Sequence, residues 1–182
     1  MAKHNFREVF KGFKEATPDG KLPKINSCDP IDMTGMYELE VVKTDTFESL
    51  DAGGLSFRAE LLVVSCDNGK LKPGAHCSII IHGLTDAKDY MKAIAFGNVK
   101  GFLAACMTYL ACEPGAELSA VDESEPWDDY VIQACEQEDF LTGARFKAQV
   151  QKTAPSSRSK TGKSFGKLTC YCVDERLSEA AA

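Results

Sequence analysis

The order of apolar and polar positions divides this chain into elements. Between residues 4 and 15, Phe6, Val9, Phe10 and Phe13 recur at helical spacing on one face, with Arg7, Lys11 and Lys14 off it. That spacing predicts a short helix packed on the main domain. Thr17-Pro18-Asp19-Gly20 ends it, and Pro23 and Pro30 keep the following segment extended. A period of two then takes over. Met36 to Phe47, Leu55 to Ser65 and Ala75 to His82 are β-prone, and turn residues at Asp51-Ala52-Gly53-Gly54, Asp67-Asn68-Gly69 and Lys72-Pro73-Gly74 separate them. Three strands at this spacing predict an antiparallel meander.

The period changes again at Asp86. From there to Leu110 the apolar positions are Tyr90, Ile94, Val99, Phe102, Leu103, Cys106, Met107 and Leu110; the last five follow a helical repeat, and Gly97 and Gly101 predict a break into two pieces. Ser124-Glu125-Pro126-Trp127 has the form of a helix start, with proline in the first turn and acids near the positive end of the helix dipole. Trp127, Val131, Ile132 and Cys135 would face inward. Two alternating strands close the pattern, Ala144 to Lys152 and Lys163 to Val173. The small, polar, basic segment between them, Thr153 to Gly162, predicts a long and flexible β-hairpin.

Three strands, a helical segment and two more strands match a five-stranded OB-fold barrel with its helix between the third and fourth strands. The expected fold is mainly β with helices. Residues 1–32 form an N-terminal helix and extended arm. Residues 33–175 form the OB-fold domain, with a helical and acidic insertion at about 86–140, and residues 176–182 form a short tail.

Composition narrows the function. The 182 residues carry 21 Lys+Arg and 27 Asp+Glu, with 44% hydrophobic residues, which excludes a disordered, collagenous or fibrous chain. No apolar run reaches the roughly 18 residues that suggest a membrane span. The N-terminus has no apolar core of a secretory signal, so a cytoplasmic location is expected. In that reducing setting the eight cysteines are expected to be free and buried. They contain no Cys-x-x-Cys, so no metal or other cofactor is expected.

Charge is segregated along the chain. Glu113 to Asp139 holds ten acids and no Lys or Arg; Gly143 to Val173 holds Arg145, Lys147, Lys152, Arg158, Lys160, Lys163 and Lys167 and no acid. A net charge of -6 argues against a protein that coats nucleic acid with its whole surface, but not against one basic face. Single-strand binders need cations for successive phosphates and aromatic faces for unpaired bases. Phe165, Lys167 and Tyr171 share one face of the last strand, next to those cations. The candidate DNA-binding residues are therefore Arg145, Lys147, Lys152, Arg158, Lys160, Lys163 and Lys167 for phosphates, with Phe165 and Tyr171 as stacking platforms. Arg58 is preferred on the second strand, with Phe57, Leu61 and Val63 in the core. Phe47 stands at the edge of the groove, and Lys43 is a further candidate.

A family resemblance rests on several short motifs in order. They are Gly35-Met36-Tyr37-Glu38-Leu39-Glu40-Val41, Ser49 to Phe57 with its glycine pair, Val63-Val64-Ser65 before the Lys-Pro-Gly turn, and Phe102-Leu103-Ala104-Ala105. Leu141-Thr142-Gly143 and Lys160-Thr161-Gly162-Lys163-Ser164-Phe165 complete the series. With them the chain resembles the phage-encoded single-stranded DNA-binding proteins of the OB-fold type, over roughly residues 33 to 173. The resemblance implies a replication or recombination accessory protein that coats unpaired DNA in the host bacterial cytoplasm. Such proteins commonly end in a strongly acidic tail; Asp174-Glu175-Arg176-Leu177-Ser178-Glu179 is short and mildly charged.

Enzyme motifs are absent. There is no Gly-x-Gly-x-x-Gly, Gly-x-Ser-x-Gly or His-Glu-x-x-His, and Thr161-Gly162-Lys163-Ser164 lacks the upstream glycine of a phosphate loop, so no catalysis is expected. The alternative is an OB-like module that binds protein, as a DNA mimic or a replication adaptor, without touching nucleic acid.

Overall fold

The computed structural model describes residues 4–17, 21–22, 25–27, 35–49, 54–67, 71–111, 125–152 and 166–171. In chain order the elements are α1 (Phe6–Val9), a 3-10 turn (Phe13–Glu15), β1 (Lys21–Leu22), β2 (Ile25–Ser27), β3 (Gly35–Glu48), β4 (Leu55–Cys66) and β5 (His76–Ile81). They continue with α2 (Asp89–Ala111), α3 (Trp127–Glu136), β6 (Arg145–Lys152) and β7 (Gly166–Tyr171). The fold is mixed α/β, with an antiparallel sheet ordered β1-β7-β6-β3-β4-β5-β2.

The expected barrel does not close. Among the described residues β5 and β7 are not paired with each other, because their outer edges are taken by β2 and β1. Only Pro23 and Lys24 separate those two short strands in the chain. A chain spans at most about 3.3–3.6 Å per residue, so one N-terminal segment can pair with both ends of the sheet only if the sheet curls strongly. β2 and β7 are accordingly in contact.

Inside the curl lies α2. Residues 95–106 are all buried except the half-buried Gly101, so this helix is apolar nearly all round, as an enclosed helix must be. It is one continuous helix and not two pieces. Its glycines cost intrinsic helicity of about 1 kcal/mol each relative to alanine, and burial on all sides outweighs that cost. Phe102 is held between Phe57 of β4 and Phe146 of β6, with ring centroids 5.8 and 5.6 Å apart in edge-on arrangements.

The N-terminal aromatics cover the start of the same helix. Phe10 and Phe13 each lie 5.5 Å from Phe96 and are almost fully buried. The segment is not one helix of three turns, however. Gly12 sits in the left-handed region at φ 79°, ending α1 and letting Phe13 turn back onto Phe10. Lys100 of α2 ties this corner together. Its ammonium donates to the Lys14 carbonyl and lies 5.7 Å from the centre of the Trp127 ring.

Of the acidic segment, residues 125–139 are described. Trp127, Val131 and Ala134 of α3 are buried against β3, α2 and the N-terminal corner; Ile132 and Cys135 are partly buried. The acids occupy the outer side of a core helix.

Candidate nucleic-acid interface

The outer face of the sheet is set by a break in the alternation of β3. Tyr37, Leu39 and Val41 point into the core; a register shift between Val41 and Lys43 then changes the parity, and Thr44 is buried instead. At this bulge β3 leaves β6 and meets the end of α3. Thr44 donates its hydroxyl to the Ala134 carbonyl at 2.7 Å, and its N–H to the Glu138 carbonyl at 3.0 Å. Lys43, Asp45 and Phe47 are thereby moved to the same outer face as Glu38 and Glu40.

Register then decides the electrostatics. Glu38 stands opposite Lys147 and Glu40 opposite Arg145 on one side of β3; Lys43 stands opposite Glu60 and Asp45 opposite Arg58 on the other. Four cations thus meet four acids directly across the strands. Arg145 Nε donates to Glu40 at 2.7 Å. Arg58 makes a two-pronged bond to Asp45, with Nε at 2.8 Å. Lys43 lies 3.9 Å from Glu60 and 3.6 Å from Glu138. The hydrogen bonds to Asp45 and Glu40 raise the pKa of Arg58 and Arg145 above the usual guanidinium value. Lys147 makes no ion pair within 4 Å among the described residues; Glu38 instead accepts from the Ser65 hydroxyl at 3.1 Å.

The candidates from sequence are therefore placed in three ways. Lys43, Phe47, Arg58, Arg145 and Lys147 share the outer face of β3, β4 and β6. The first, third and fourth are already ion-paired. Phe47 is half-buried, with the Arg58 guanidinium 5.7 Å from its ring centre. Phe57, Leu61 and Val63 are fully buried in the core. For Lys152, Lys167 and Tyr171 the backbone alone is described: Tyr171 is paired with Lys147, Lys167 with Gln151 and Lys152 with Gly166. Arg158, Lys160, Lys163 and Phe165 lie outside the described residues.

Sequence reading missed the acidic partners on this face. Glu38, Glu40, Asp45 and Glu60 alternate along β3 and β4 in the sequence, but only the register shows which cation each one meets. It also missed the cluster around Ser56. That serine is buried on the outer side of β4 and is hydrogen-bonded to His82 Nδ1 at 2.9 Å. Beside it Ile80 stands directly opposite Arg58.

Among the described residues no group of three or more His, Cys, Asp or Glu side chains is arranged to hold a metal ion, and no helix is long and apolar enough to cross a membrane. Cys77 and Cys135 are free thiols. Burial pushes the Cys77 thiol up to about 12 and raises that of Cys135 as well, which keeps both protonated and unreactive. The chain matches no protein-family model, no curated protein and no solved structure.

Proposed function

We propose that this protein binds single-stranded DNA without sequence preference, as an OB-type domain that uses the outer face of β3, β4 and β5 together with the β6–β7 hairpin. The observation that supports this most is strand order. Taken from β5 to β7, the five long strands run third, second, first, fourth, fifth, with α2 between the third and the fourth. An OB barrel opened at one seam would have the same order, which supports the OB-type reading. Fold alone does not assign an activity. In the OB-type reading the cation-rich hairpin belongs beside the sheet face on which OB domains hold polynucleotides.

The division of labour follows from the ion pairs. Lys43, Arg58 and Arg145 are neutralised at rest, so in this reading the positive charge for phosphates comes from Lys147, Lys152, Arg158, Lys160, Lys163 and Lys167. These pairs are half-buried at the surface of the sheet, so an arriving phosphate competes with each carboxylate for its cation. Phe165, Tyr171 and Phe47 supply rings for stacking, at about 1–3 kcal/mol per base. The resemblance to phage single-stranded DNA-binding proteins suggests a role in phage DNA replication or recombination.

The second reading is an OB-like protein-interaction module, favoured by the charge balance of the sheet face. Fluorescence titration with oligo-dT at several salt concentrations separates the two. Single-strand binding predicts affinity that falls steeply with salt, and a Lys160/Lys163/Lys167→Ala variant with weaker binding and a shallower salt slope. No binding at low salt would instead support the protein-binding module.

A further inference from the structure

The first turns of α2 carry an apolar patch in solvent, although the same helix is enclosed from residue 95 to 106. Of the five large apolar side chains exposed among the described residues, three lie here: Tyr90 at 63%, Met91 at 48% and Ile94 at 54%. Apolar side chains gathered on one exposed surface mark interaction sites. Beside them opens a cavity of about 380 Å³. Ile80, Met91 and Ile94 give it apolar walls, His82 and Asp86 add polar groups, and the buried Asn98 also lines it. Tyr90 is one helical turn from Ile94, so a projecting ring stands next to the hollow. Asp86, Lys88, Asp89 and Lys92 surround the patch. Their charges sum to zero, and among the described residues none of the four makes an ion pair within 4 Å.

We propose that this patch is a two-fold interface with a second copy of this chain, in which Tyr90 of each copy enters the cavity of the other. Shape, chemistry and charge all select that occupant. A two-fold interface presents one surface twice, so the surface must complement itself. This one does, because it carries both a projecting ring and a hollow. A cavity of about 150 Å³ already holds a benzene ring, so 380 Å³ has room for a phenol. Tyrosine combines an apolar ring with a polar tip. The cavity offers apolar walls to the ring, and the Asp86 carboxylate is an acceptor for the hydroxyl. A strongly acidic or basic partner would meet like charges on half of the rim, whereas a second copy sets acids against cations. Self-association through this patch is independent of what the sheet face binds.

The test is sedimentation velocity of the full chain from about 1 to 200 µM, which spans micromolar dissociation constants. Wild type should approach twice the chain mass as concentration rises. Tyr90→Ala should weaken the dimer by about 30-fold or more, the effect of losing a central aromatic anchor, and Tyr90→Phe should weaken it less. Ile94→Glu puts a charge on an exposed wall of the cavity and should also favour the monomer. Tyr90 and Ile94 are exposed, so circular dichroism of the dilute variants should show the wild-type fold. Ala87→Trp separates a fitted interface from general stickiness. It adds apolar surface but fills the cavity that Ala87 lines, so it should weaken the dimer. A wild type that stays monomeric over the whole range would overturn the second copy as occupant and leave the patch to a different partner. A dimer that persists unchanged in Tyr90→Ala and Ile94→Glu, or that Ala87→Trp strengthens, would overturn the interface.

Discussion

Arg58 and Asp45 stand directly opposite each other across β3 and β4 and are joined by two hydrogen bonds. A phosphate arriving at Arg58 therefore competes with that carboxylate for the guanidinium. Asp45→Asn keeps the shape and removes the charge. It should raise oligo-dT affinity about 2- to 5-fold at low salt and steepen the salt slope, by up to about one unit if Arg58 adds a full phosphate contact. Unchanged affinity and slope would show that this pair lies off the DNA path.

Gly54 holds the turn between β3 and β4 at φ +70°, and a Cβ there would lie 2.6 Å from both the carbonyl oxygen and the hydroxyl of Thr85. The contact matters because Leu55 N–H donates to that hydroxyl at 2.8 Å, which fixes the loop after β5. Gly54→Ala should destabilise by more than about 1–3 kcal/mol, since backbone strain and a backbone clash combine. Gly74, also left-handed but with nothing within 4 Å of a Cβ, provides the control. Gly74→Ala should cost only the conformational part, about 1 kcal/mol. Urea midpoints of the two variants make the comparison.

Phe102 and Phe13 report on two halves of one core. Phe102→Ala removes the ring between Phe57 and Phe146, and Phe13→Ala removes one packed on Phe96. Each should cost about 3–5 kcal/mol in denaturant unfolding. A small loss for Phe13→Ala alone would show that the N-terminal corner unfolds independently of the sheet.

The thiols predict a pH dependence with a definite sign. Cys77 and Cys135 are held protonated in the folded protein, whereas an unfolded thiol ionises from about 9. Below that pH both states keep the proton and the thiols leave stability unchanged. Above it the unfolded chain loses protons that the native state retains, so stability falls by up to about 1.4 kcal/mol per pH unit for each thiol. For Cys77 the decline runs from about 9 to about 12. Cys77→Ala should flatten the alkaline limb of a plot of urea midpoint against pH, and the wild-type thiol should react slowly with Ellman's reagent at pH 8 until the chain is unfolded.

Much of the architecture was legible in the residue pattern. The five long strands lie within a few residues of the alternating segments, and Trp127 starts its helix, because periodicity and turn chemistry act locally. Glycines act in opposite ways in the two helical segments. Gly12 breaks a helix that its apolar face suggested, where a turn of chain must fold back to bury Phe13. Gly97 and Gly101 sit within a helix that enclosure holds intact.

The candidate site divides along the same line. The sequence by itself determined which positions carry charge and which side of each strand they share: Arg58 out and Phe57 in, Arg145 and Lys147 out and Phe146 in. Only the tertiary structure decided that those cations face Asp45, Glu40 and Glu38, that β1 and β2 occupy the sheet edges in place of barrel closure, and that Asn98 is buried beside a cavity. The reason is range. Alternation depends on neighbours along the chain, whereas cross-strand pairing, edge occupancy and burial depend on residues far apart in sequence that meet only after the sheet has curled around α2.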